Sequence, residues 1–235
     1  VRQAVGIEAK RQEYDQVAIV TNVALTLPHN NTAYERFTES GPLALLPMSN
    51  QRMAVVWSVR AKEAESLLAL PDDAFLLKLQ ERFGERLGAF ARVGKRAHYP
   101  LALTKVAEHA RERLVLIGNA AHTVHPVAGQ GFNLGLRDVA ALAEVLSEAL
   151  KAGEDIGSLT VLQRYRAWRQ RDNQVISGFT HGLISTFSND FPPFAFARNA
   201  ALAAVDLLPG AKRALIRITS GLAGKLPKLA RGLPL

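Results

Sequence analysis

The 235 residues include no cysteine. This excludes disulfide frameworks, thiolate nucleophiles and Cys-ligated zinc sites together, and it fits a reducing compartment. Redox chemistry on this chain therefore needs a borrowed cofactor. No apolar run is long enough to cross a bilayer, and no charged-then-apolar N-terminal stretch ends in small residues, so the expectation is a cytoplasmic protein. Internal repeats and low-complexity segments are lacking too. Aromatics do not interleave with basic residues as a base-stacking surface requires, so nucleic acid is not an expected partner despite a net charge of +8. The surplus sits at one end: after Asp206 there are six basic residues (Lys212, Arg213, Arg217, Lys225, Lys228, Arg231) and no acidic ones, which leaves residues 1–206 at only +2.

What is present is enough apolar sequence, 48% of the chain, to bury a sizeable core. Residues 17–27 and 53–60 are rich in β-branched residues and bounded by turn formers, which predicts two strands. The apolar run Gly41–Pro47 between them predicts a third, completing a meander. Residues 62–70 and 72–83 have helical spacing, with Leu76, Leu79 and Phe83 on one face and Asp72 placed as a cap. A further strand is predicted over Ala97–Leu103. The apolar run 113–117 ends at Gly118 and reads as a buried strand. It is followed by a loop over 119–130, and the periodicity of 131–152 predicts a helix stopped by Gly153. Two more helices are expected over 159–188 and about 194–208, with breaks at Pro192-Pro193 and Pro209-Gly210. The fold class is α/β, or α+β for the chain as it stands.

The loop is the unusual feature. It reads Gly118-Asn119-Ala120-Ala121-His122-Thr123-Val124-His125-Pro126-Val127-Ala128-Gly129-Gln130-Gly131-Phe132-Asn133-Leu134-Gly135. A Gly-rich loop entering a helix offers unpaired backbone N–H groups and the positive end of the helix dipole, which suits an anionic or electron-rich ligand edge. The dinucleotide fingerprint is a competitor, but there the glycines follow the strand directly, whereas eleven places separate Gly118 from Gly129 here. His122 and His125 lack a nearby carboxylate or thiolate in sequence, so no metal site is expected, and the plainer reading is loop histidines bonded to backbone.

As a whole, the string resembles the second flavin-binding motif of FAD-dependent aromatic-ring hydroxylases, G-D-A-A-H-x-x-x-P-x-x-G-Q-G-x-N. Asn119 stands where the general motif has Asp, a variant that points toward the 2-polyprenyl-6-methoxyphenol hydroxylases of ubiquinone biosynthesis. Tyr34-Glu35-Arg36-Phe37-Thr38, Gly41–Pro47 and Lys95–Leu101 look like stretches of the same hydroxylases, so the resemblance covers most of residues 1–190. The resemblance implies that Asn119 bonds the ribityl chain of FAD, that Pro126 lies beside the isoalloxazine, and that Gly129, Gln130, Gly131, Phe132 and Asn133 turn backbone N–H groups toward the pyrimidine edge. A true G-x-G-x-x-G and the D-G-x-x-S-x-x-R motif are not found, although Val1-Arg2 can be read as the last two residues of the latter. The expectation is a truncated chain that binds FAD weakly or not at all and is inactive alone.

The implied organisation is a substrate-side sheet layer with a helical insert over 1–110, a flavin-binding strand-loop-helix over 111–155, C-terminal helices over 156–208 and a basic tail over 209–235. The implied reaction is ring hydroxylation of a polyprenylated methoxyphenol, with NADPH or NADH as reductant. No catalytic side chain is assigned. Leu43, Leu45 and Trp57 are candidates for an apolar substrate wall, with core packing as the alternative for each. Two alternatives remain for the whole: a sister hydroxylase acting at another ring position, or a non-catalytic module of flavoprotein fold that docks onto other ubiquinone-pathway enzymes. The tail, whose Lys and Arg alternate with Leu and Ile, has two readings: a solvated or disordered segment, or a contact with the anionic surface of the inner membrane.

Overall fold

A computed structural model of the chain describes residues 1–126, 129–187, 192–220, 222 and 224–235. The strands are β1 (Ala9–Leu25), β2 (Tyr34–Thr38), β3 (Gly41–Met48), β4 (Arg52–Arg60), β5 (Phe90–Val93), β6 (Ala97–Val106), β7 (Ala110–Arg111), β8 (Leu114–Val115) and β9 (His122–Thr123). The α-helices are α1 (Ala61–Ala69), α2 (Asp72–Phe83), α3 (Gln130–Lys151), α4 (Leu159–Phe187), α5 (Pro192–Leu207) and α6 (Pro209–Thr219). The chain divides into two compact units. One comprises residues 1–12, 102–182 and 199–235, and the other comprises 13–101 and 183–198.

The second unit is built on an antiparallel meander. β2 pairs β3, β3 pairs β4, β4 pairs β1, and β5 pairs the other edge of β1. Because side chains alternate along a strand, one face collects Val17, Ile19, Val23, Leu43, Leu45, Met53, Val55, Trp57 and Val59. Against this face pack Ala64 of α1 and Phe75, Leu76, Leu79 and Phe83 of α2, as the helical spacing predicted. Trp57 and Phe75 meet edge to face at 5.7 Å. Gly41, at φ +131°, lies so close to β4 that a Cβ on it would fall 2.8 Å from Ser58 Cβ, so no larger residue fits the β2–β3 turn.

Asp72 does not cap α2. It is the first helical residue, after Pro71, and its carboxylate pairs with Arg96 at 2.8 Å. Arg96 also donates to Leu70 O at 2.6 Å and lies over the Phe75 ring at 5.0 Å, clamping the α1–α2 joint.

In the first unit, β6 pairs β9 through Thr104↔Thr123 and Lys105↔His122. The run 113–117 is not the continuous strand its composition predicted. Only Leu114–Val115 forms a ladder, with Ala110–Arg111, and Arg113 is left-handed at φ +58°. The run is apolar because it is enclosed from two sides: Leu116 packs with Ile7, Val106 and Ala121, while Val115 and Ile117 lie against Ala141, Val145 and Tyr165. Burial wrote that pattern, and periodicity cannot distinguish it from a ladder.

The tail is solvated, as one reading expected, but it is not disordered. Residues 209–219 form α6, and 229–231 form a 3-10 turn. Lys228 N–H donates to Glu144 at 2.5 Å, Lys225 O accepts from Trp168 Nε1 at 3.0 Å, and the Lys225 ammonium sits 4.0 Å from the Trp168 ring centroid. These contacts tie the later tail to α3 and α4.

Leu79 is fully buried among strands and helices, so Leu79→Ala is expected to lower unfolding stability by about 2–5 kcal/mol. The check is a shift of the urea midpoint with little change in slope.

Candidate functional site

The site is organised around a carboxylate rather than around the glycines. Asp138, in α3, is fully buried. Its Oδ2 accepts from Gly118 N–H at 2.9 Å and from His122 Nε2 at 2.8 Å, and its Oδ1 accepts from Arg169 Nε of α4 at 2.7 Å. An ionised carboxylate only accepts, so His122 must carry its proton on Nε2. Arg169 continues the chain of alternating charge, donating to Asp172 at 2.5 Å and to Asn173 at 3.2 Å, and Arg137 donates to Asp172 at 2.8 Å. The plainer reading of His122 as backbone-bonded is therefore corrected: its carboxylate lies sixteen positions downstream, beyond the reach of local spacing.

Burial by itself raises the Asp138 pKa, but hydrogen bonds from His122 and Arg169, with their charges, outweigh it and hold the carboxyl below its ordinary value. Burial, and then the Asp138 charge, push the hydroxyl of neighbouring Tyr165 well above its ordinary range. His125 is almost wholly buried, and desolvation lowers its pKa to about 4.

This network holds the loop against α3. Residues Gly118–Ala120 form a 3-10 turn with Gly118 at φ +54°, and a Cβ on Gly135 would sit 3.6 Å from Gly118 Cα. Arg2 Nη1 donates to Asn119 O at 2.9 Å and Ala120 O at 3.0 Å, bracing the turn from outside. Asn119 is thus seated by its carbonyl while its residue remains exposed.

Pro126 is half-buried and its carbonyl accepts from Gly129 N–H at 3.0 Å. Gly129, left-handed at φ +61°, is the N-cap of α3, and no side chain among the described residues caps it. Gln130, Gly131, Phe132 and Asn133 form the first turn of α3, with Phe132 74% exposed. Their N–H groups are the ones a helix cannot satisfy internally. Gly131 is not at positive φ, and among the described residues a Cβ there would meet only Val124 at 3.9 Å, an ordinary contact. The packing of the described residues does not require glycine at 131, and a glycine there leaves the backbone open to close approach by a flat group. The uncapped turn and this bare backbone fit a flavin edge.

Leu43, Leu45 and Trp57 lie in the core beneath α1 and α2, which is the core-packing reading of each and not the substrate wall. Strand alternation puts Val20, Ala44, Ala54 and Val56 on the opposite face, each half-buried, with Leu46 exposed beside them. Asp138, Arg169 and the bracing role of Arg2 were missed because each acts through a partner remote in sequence. The one available signal was an acidic residue inside an otherwise apolar helix face.

An antiparallel sheet with a strand-loop-helix of this form defines the fold of FAD-dependent hydroxylases. p-Nitrophenol 4-monooxygenase PnpA from Pseudomonas putida superposes with a TM-score of 0.73 at 20% identity, over 95% of this chain and 56% of that one. Residues 1–176 match the family described as FAD binding domain. The chain belongs to this family of FAD-dependent monooxygenases. It is 42% identical to ubiquinone hydroxylase UbiL of Rhodospirillum rubrum over its whole length and 56% of the relative. It is 33% identical to the 3-demethoxyubiquinol 3-hydroxylase of Escherichia coli over 94% of the chain and 56% of the relative. The chain therefore spans about half the length of these curated relatives.

The two buried titrating groups give separable predictions. Replacing Asp138 by Asn removes the acceptor charge from a buried pair and is expected to cost about 3–5 kcal/mol of stability. Because the folded pKa of Asp138 is depressed, its contribution is fully present above the ordinary aspartate pKa of about 3.9 and is lost as pH falls through the folded value. Urea titrations below about pH 4 should accordingly be flatter in Asp138→Asn than in the parent. His125 acts earlier. Its folded pKa of about 4 makes stability fall from about pH 6.5 downward, with a slope of up to about 1.4 kcal/mol per pH unit. His125→Asn should lack that decline.

Proposed function

We propose that the protein is a FAD-dependent monooxygenase of ubiquinone biosynthesis that hydroxylates the ring of a polyprenylated methoxyphenol. The observation that carries this reading is the first turn of α3, which no side chain among the described residues caps and whose glycine at 131 the packing of those residues leaves unexplained. The relationship to ubiquinone hydroxylases supports the substrate class. A sister reaction at another ring position remains the nearest alternative, and product analysis distinguishes the two.

In this reading the backbone N–H groups of Gln130, Gly131 and Phe132 stabilise negative charge on the flavin's pyrimidine edge, aided by the α3 dipole. Gly129 supplies the left-handed entry, Pro126 lies beside the ring system, Asn119 bonds the ribityl chain, and Asn133 closes the turn. Bound FAD would supply the redox chemistry, taking reducing equivalents from NADPH or NADH and activating oxygen. The half-buried apolar sheet face around Val20, Ala44, Ala54 and Val56 would shelter an apolar ring and tail from water. No side chain is assigned as an acid or base.

The test is flavin binding by the chain as given and by the complete gene product. The complete product is expected to bind FAD and to hydroxylate a short-chain methoxyphenol, and the chain alone to be inactive. In the complete product, Gly131→Pro removes one N–H at a helix position that tolerates proline. It is expected to weaken FAD binding roughly tenfold and to lower the flavin reduction potential, both read spectroscopically. Unchanged affinity and potential would remove the N–H reading. A complete product that binds no flavin would leave the non-catalytic docking module as the better account.

A further inference from the structure

The sheet face covered by α1 and α2 holds a polar group that its packing leaves unsatisfied. Trp57 is 2% exposed, and its indole Nε1 is buried with no hydrogen-bond acceptor among the described residues. An indole nitrogen only donates, so its partner must bring an acceptor atom. Trp57 also lines a cleft of ≈ 420 Å³ between α1 and α2. That volume falls in the range of small-molecule pockets, about 300–1,000 Å³, and is many times the roughly 30 Å³ that one water occupies.

The cleft carries charge of both signs. Lys78 and Glu81 of α2 pair with each other at 3.0 Å. Glu63 of α1 and Arg82 of α2 also line it, and neither forms an ion pair among the described residues. Val59 and Leu67 add apolar wall beside Trp57. An unpaired acid, an unpaired base, a buried N–H donor and an aliphatic wall together complement a molecule that carries a carboxylate, an ammonium and a short branched chain. We propose that this cleft binds an α-amino acid with a small aliphatic side chain. The ligand carboxylate accepts from Arg82 and from Trp57 Nε1, its ammonium donates to Glu63, and its side chain lies against Val59 and Leu67. Arginine suits the first role because its planar fork matches a carboxylate. All of these residues belong to the antiparallel unit, so the site stands or falls independently of the flavin loop, which belongs to the other.

The complete gene product, isotopically labelled at tryptophan nitrogen, is titrated with L-valine, with isovalerate, which lacks the ammonium, and with isobutylamine, which lacks the carboxylate. The indole N–H resonance that disappears in Trp57→Phe is expected to shift saturably with L-valine, and each half-molecule to bind about tenfold more weakly. Glu63→Gln and Arg82→Gln should each weaken L-valine about tenfold as measured by calorimetry. The first should also abolish the preference over isovalerate, and the second the preference over isobutylamine. Circular dichroism checks that each variant folds, and the two charge variants decide the matter even where Trp57→Phe does not fold. Three outcomes overturn the proposal: no saturable binding of L-valine, isovalerate binding as tightly as L-valine, or charge variants that bind L-valine like the parent.

Discussion

A buried carboxylate that no water reaches must have its charge answered by protein groups, and Asp138 draws three segments together to do so. It accepts the N–H of Gly118 at the start of the loop, Nε2 of His122 within the loop and Nε of Arg169 in α4. Removing any of these would leave a charge or a donor unsatisfied in a low-dielectric interior, the most costly kind of defect. Asp138 sits eight residues into α3, about 12 Å along its axis from the first turn. Anchoring the loop there fixes the start of the loop against α3. The alternation Asp138–Arg169–Asp172–Arg137 extends the same constraint along α4.

The antiparallel unit works by a different principle. Period-two alternation gives the sheet two unequal faces, one sealed by α1 and α2 and one left half-buried with small and β-branched side chains. A sealed face provides stability without chemistry. The other supplies apolar area that can exclude water from a bound ring without paying for polar groups left unpaired. The placement of Trp57 makes the point: an aromatic residue on a strand suggests a ligand wall by composition, yet a parity of one residue sends it into the core.

Charge is distributed along the chain by a similar division. Residues 1–206 are nearly balanced, and the buried charges of Arg137, Asp138, Arg169 and Asp172 neutralise one another. The surplus lies after Asp206, where Lys212 pairs with Asp206 and Arg213 and Arg217 have no acidic partner among the ion pairs of the described residues. Lys225 and Lys228 are spent on contacts with Trp168, Glu144 and Glu148, which secure the end of the chain and leave Arg213 and Arg217 facing outward on α6.

Much of the fold was legible in the sequence because it is written in local periodicity. The meander, the two helices with Leu76, Leu79 and Phe83 inward, the long α3 and the breaks at Pro192 and Pro209 all follow from spacing, turn residues and proline geometry. The loop string identified the family, since its glycines and proline encode backbone shape directly. Tertiary structure alone decided the rest. It matched His122 to Asp138 and Asp138 to Arg169, split 113–117 into a two-residue ladder between an exposed turn and a buried Leu116, chose which sheet face α1 and α2 would cover, and folded the later tail onto α3 and α4. Most of these depend on a partner remote in sequence, and neither the pairing of charges nor the side from which a strand is covered leaves a periodic trace in the chain that carries it.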